Sequence, residues 1–251
     1  GVLAYAIGAI YGNIALIYVG AVLVLLFSVV PALLIEEPRQ LAHTETESLE
    51  RLGVGALLML MRPLWPFAVY ALIVMALKAV GAERDLRLEA AFGVIALGFV
   101  VHALLERQDH GAGEDVAGFR KVLAAHAISW FGMQTLFVYL IGFVKQRFPL
   151  LDDEAVGSLM SFSFLTLNAV AAVVPALLLG PLALRFREVP VHAAALVTMA
   201  LGFGLVYAFG HSAEMVYLGM GVMGLGWGAI VSLPFAVFSQ IVSPARIGLY
   251  M

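Results

Sequence analysis

The chain has no cysteine, which excludes disulfide staples and thiolate metal sites. Charge is scarce too: Asp, Glu, Lys and Arg make up 12% of the residues, far below the usual share in a soluble domain. Those charges almost cancel at a formal net of −3, so no basic excess exists to hold nucleic acid. The six histidines are scattered, with no HExxH-like spacing and no convergent nucleophile, base and metal set, which argues against an enzyme. Gly1 to Tyr11 lacks the charged start and small-residue cleavage site of a signal peptide. No repeat with a period of about 20 to 50 residues is visible, and no carboxylate falls in the middle of any long apolar run.

What the chain has instead is hydrocarbon. Hydrophobic residues reach 63%, and the charges cluster between apolar runs long enough to cross a bilayer, which takes roughly 20 helical residues. This predicts an all-α, polytopic transmembrane helix bundle in the lipid bilayer, with a bacterial inner membrane as the expected location. Gly1 to Tyr11 reads as the end of one helix and about Ile14 to Ile35 as a full span, so the chain is expected to begin inside a helix. A polar stretch follows, and its far end (Leu49, Leu52, Leu57, Leu58, Met61) reads as an amphipathic interfacial segment. Further spans are expected at about 64–81, 90–105, 122–144, 155–184, 191–210 and 214–241, with a glycine-marked linker before the third of these. Beyond them the chain stops at Met251 in what reads as a loop, so truncation is expected at both ends.

Lys and Arg set the expected sidedness. Nine (Arg39, Arg51, Arg62, Arg107, Arg120, Lys121, Arg185, Arg187 and Arg246) fall on one side and five (Lys78, Arg84, Arg87, Lys145 and Arg147) on the other, which assigns the first set to the cytoplasm.

Polar groups inside spans are informative because each costs free energy in lipid unless it faces protein or water. His126, Trp130 and Gln134 follow at four-residue steps and share one helical face. Ser158, Ser161 and Asn168 form a second stripe, for which local bonding and helix-to-helix contact stand beside pore lining. The run GMGVMGLGWGAIVSLPFAVFSQ, residues 219–240, has no charge but contains Trp227, Ser232, Pro234 and the pair Gly224-x-x-x-Gly228, a spacing that lets helices approach closely.

Residues 226–236, GWGAIVSLPFA, followed by PARIGLYM at 244–251, resemble the tenth helix and following loop of major facilitator transporters, in the sucrose/proton symporter branch and its bacterial relatives. The span with Ser129-Trp130-Phe131 and Phe137-Val138-Tyr139 is similar to the seventh helix of that branch. GPLALRFR, from Gly180 through Arg185 to Arg187, resembles the superfamily's loop motif after the eighth helix, with Leu184 in place of the acid and Arg187 in place of the second glycine. Arg246 falls in the corresponding loop after the tenth.

The resemblance implies three parts. Residues 1–35 would be the fifth and sixth helices, 36–121 a cytoplasmic loop with two extra transmembrane helices and a linker, and 122–251 the seventh to tenth helices and the start of the eleventh. It implies earlier helices of the same chain as a partner. It also implies a proton-coupled, alternating-access carrier of a small polar solute, a sugar or glycoside, without a cofactor or metal. Proton-coupled peptide transporters and fourteen-helix drug/proton antiporters share such an insertion and remain alternatives. On this reading His126, Trp130, Gln134, Asn168, Trp227 and Ser232 contact solute or gate, Gly224, Gly228 and Pro234 shape helix packing, and His126 is the available titratable group.

Overall fold

The computed structural model describes residues 18–23, 25–26, 54–82, 85–108 and 115–242. Of the stretch read as the fifth and sixth helices, only 18–23 and 25–26 are described. The rest of 1–53, and 243–251 with Arg246, lie outside the described residues. Every regular element described is helical. α1 (Val54–Leu60) and a 3-10 turn (Arg62–Leu64) lead into α2 (Trp65–Ala79) and α3 (Leu86–Leu105). Then come α4 (Val116–Arg147), α5 (Asp153–Val174), a π-helical turn (Pro175–Leu179), α6 (Gly180–Phe186), α7 (Glu188–Phe209) and α8 (Ala213–Ile241). Among the described residues six helices, α2 with its leading turn, α3, α4, α5, α7 and α8, are long and apolar enough to cross a membrane. The chain is an integral membrane protein with a helical bundle.

The helix ends follow from local chemistry. Asp115 caps α4 by accepting from the Gly118 N–H at 2.8 Å, Asp85 caps α3 by accepting from the Arg87 N–H at 2.8 Å, and Ser212 caps α8. Pro149 closes α4 two residues after Arg147, where Lys145 and Arg147 complement the negative helix end. At 32 residues α4 is about 48 Å long, more than the hydrocarbon needs, so both basic ends reach the headgroups. The single run expected at 155–184 is broken at Pro175. Proline has no N–H to give the preceding turn, and the backbone there widens into a π turn before α6 resumes.

Between helices already immersed in lipid, hydrophobic burial supplies little drive, so close backbone contact and dispersion must hold the bundle together. α8 sits at the centre and packs most extensively on α7, then on α5. Its glycines explain how. A Cβ on Gly226 would stand 2.5 Å from the Ala195 carbonyl oxygen on α7, and one on Gly224 would stand 2.6 Å from the Leu167 carbonyl oxygen on α5. Gly202 of α7 meets the same seam, its virtual Cβ lying 2.7 Å from the Met223 nitrogen. Met133, Leu136, Leu140 and Val144 from α4 close the core against Leu159, Leu167, Met220, Met223 and Ile230.

The α2–α3 hairpin joins its helices through Tyr70 and Phe92, whose ring centroids are 5.3 Å apart, and packs Val100 and Ala103 against Ala124 of α4. Glu106 fastens the same end, bonded to Arg62 at 3.2 Å and to Arg120 of α4. In the segment expected to lie along the interface, α1 buries Leu60 against Phe119, Phe238 and Val242. The residue that anchors it to the bundle is thus outside the predicted apolar stripe.

Candidate functional site

The seam between α4 and α8 gathers aromatic and polar side chains. Trp227 is the central residue of α8 and Trp130 lies within two residues of the centre of α4. Their rings meet edge to face, centroids 5.1 Å apart at 76°. Phe137 of α4 stands 5.7 Å from Trp227 and 5.6 Å from Phe164 of α5, which ties the third helix into the cluster. Toward the Val116 end of α4, His126 lies 6.2 Å from Phe235 of α8. The result is an aromatic column along two antiparallel helices, centred at mid-span.

One polar bond runs through the column. The Trp130 indole Nε1–H donates to His126 Nε2 at 2.8 Å. An acceptor Nε2 puts the ring proton of a neutral imidazole on Nδ1, and His126 Nδ1 is buried without a hydrogen-bond partner. A second histidine, His192 of α7, has the same feature: its Nδ1 is buried and unpartnered. His192 lies within electrostatic reach of His126. Its helical face marks His126 in the sequence, whereas His192 stands there only among scattered histidines. Its signal was position: four residues after Glu188 it begins the same face that buries Ala195 and Met199.

His126, Trp130 and Trp227 therefore converge. Gln134 and Asn168 stand apart from them. Each four-residue step along an α-helix turns a side chain by about 40°. The stripe His126, Trp130, Gln134 accordingly winds from the core edge outward, and Gln134 is exposed. Asn168 is exposed as well and spends one amide hydrogen on the Phe164 carbonyl at 2.8 Å. Ser232 donates to the Gly228 carbonyl at 2.7 Å, so its hydroxyl can only accept from a further partner. Ser163, absent from the predicted stripes, is fully buried with an unpartnered hydroxyl.

Gly224 and Gly228 are buried in the helix packing, and Pro234 is buried inside α8. Pro234 leaves the Ile230 carbonyl without the usual donor four residues on. Gly180 faces open space. Arg187, standing where the resembled loop motif has glycine, adopts φ 69° and ψ 160°. Glycine takes that backbone region freely, and it costs another residue about 1–3 kcal/mol.

Among the described residues no group of three or more His, Asp or Glu is placed to hold a metal ion. No family model, curated protein or solved structure matches the chain.

Proposed function

We propose that the chain is part of a secondary active transporter that moves a small polar solute, a sugar or glycoside, by proton-coupled alternating access. The observation that supports this most is the Trp130–Trp227–His126 cluster at mid-span, the depth at which carriers of this architecture bind solute. Indole faces suit the apolar side of a pyranose. The exposed amides of Gln134 and Asn168, one helical turn beyond Trp130 and Phe164, both donate to and accept from hydroxyls.

His126 offers a route for coupling. A proton arriving at Nε2 uses the lone pair that now accepts from Trp130, so protonation displaces the indole N–H and frees it to turn. Proton binding and rearrangement of the solute-facing ring are thereby linked through one atom pair.

The test is counterflow of labelled disaccharide into liposomes holding the purified complete protein. Uptake driven by internal unlabelled sugar is the expected result. Gln134→Ala and Asn168→Ala should each raise the half-saturating concentration several-fold while leaving membrane expression unchanged, since neither side chain is buried. Absence of counterflow with sugars, together with activity on dipeptides or drugs, would reassign the solute. Unchanged affinity in both variants would remove these amides from the site.

A further inference from the structure

We propose that the groove between α6 and α7 is a binding site for an anionic glycerophospholipid, with an acyl chain in the groove and the phosphate at Arg185 and Arg187. The groove has a volume of about 420 Å³. Val174, Leu178 and Leu182 form one wall, Val191 and Ala194 of α7 the other, and Leu225 of α8 lies among the lining residues. It lies where the chain passes through the π turn at Pro175–Leu179 into α6, which packs on α7 far less extensively than α5 packs on α8.

An apolar groove in a membrane takes lipid of some kind; the charge at its mouth selects which. Phe186 lines the groove, and the Arg185 guanidinium stacks on its ring, 5.1 Å from the centroid. Arg187 follows immediately and precedes α7, whose first turn reaches the lining residue Pro190. The one carboxylate beside them, Glu188, accepts from Gln240 of α8 at 2.8 Å, which directs it to the protein. Two cations and one carboxylate therefore stand at the groove's end, which leaves it net positive. That end belongs to the side that the Lys and Arg distribution assigns to the cytoplasm, where basic pockets between helices meet anionic headgroups.

Arg187 carries a second argument. Its φ of 69° is a conformation in which glycine would be free of strain. A cationic side chain kept at such a position is consistent with a role for its charge.

Native mass spectrometry of the purified complete protein, titrated with dioleoyl phosphatidylglycerol and separately with dioleoyl phosphatidylcholine, tests the site. The wild type should retain phosphatidylglycerol with an apparent Kd about tenfold or more below that for phosphatidylcholine. The double variant Arg185→Gln with Arg187→Gly should bind both equally. Because glycine relieves the strained backbone, Arg187→Gly alone should melt no lower than wild type, so its lost selectivity cannot be assigned to misfolding. Ala194→Trp, which fills the groove, should reduce binding of both lipids. Equal binding by the wild type, or a phosphatidylglycerol preference that survives the double variant, would overturn the proposal.

Discussion

Replacing Gly226 by Leu is expected to lower the stability of the bundle by about 3 kcal/mol, a Tm drop of roughly 6–12 °C at 2–4 °C per kcal/mol. A Cβ there already stands 2.5 Å from the Ala195 carbonyl oxygen and from the Met199 Cβ. Backbone cannot yield as the tip of a flexible side chain can, so α7 and α8 must separate along the seam that Gly202 and Gly219 also form. A leucine has a better helix propensity than glycine by somewhat under 1 kcal/mol, too little to offset that separation. Gly204→Leu on the open side of α7 supplies the comparison, because nothing lies within 4 Å of its virtual Cβ. That variant should melt at or slightly above the wild-type temperature. Melting in detergent followed by intrinsic fluorescence reads both, and equal melting of the two variants would show that glycine proximity is not what holds α8 in place.

The second large effect is expected at Trp130. Its ring edge contacts Trp227 and its N–H satisfies His126 Nε2. Trp130→Ala forfeits an aromatic pair worth about 0.5–1.5 kcal/mol and leaves an imidazole nitrogen unpaired at about 1–3 kcal/mol. The bundle should therefore be destabilised by roughly 1.5–4.5 kcal/mol, and solute affinity should fall with the loss of the indole face. Trp130→Phe keeps most of the ring contact and loses only the donor, so its deficit should be smaller and should be marked in the pH dependence of uptake. If Trp130→Phe matches wild type at every pH, the Trp130–His126 bond has no part in coupling.

The spans were legible because hydrocarbon thickness sets run length, and α2, α3, α7 and α8 begin and end within a few residues of the predicted limits. Two features followed different rules. The first turns of α4 lie outside the apolar run and owe their helix to the Asp115 cap, a signal of side-chain chemistry instead of hydropathy. The break at Pro175 was hidden because hydropathy does not change across it; only the missing N–H does.

In the site, helical periodicity placed His126 and Trp130 on one face, but it could not say how that face winds relative to the core, which is why Gln134 is exposed. Nor could periodicity within one helix bring His192 of α7 near His126 of α4. That depends on how closely α7 and α8 approach, and the approach is set by Gly226 and Gly202. Gly224-x-x-x-Gly228 drew attention to the correct helix, yet Gly226 between them makes the close contact with α7.

The account depends on water reaching the exposed amides of α4 and α5. The chain itself has no cysteine, so with any cysteine elsewhere in the protein replaced by serine, the single substitutions Gln134→Cys and Asn168→Cys report this. Leu201→Cys, at an exposed apolar position on α7, serves as the lipid-facing reference. A thiol must ionise in water to react with a maleimide. With a membrane-impermeant maleimide applied to each side in turn, Gln134→Cys and Asn168→Cys should label and be protected by bound solute, while Leu201→Cys stays unlabelled. If both remain as unreactive as Leu201→Cys from either side, those faces look onto acyl chains and the transport reading is contradicted.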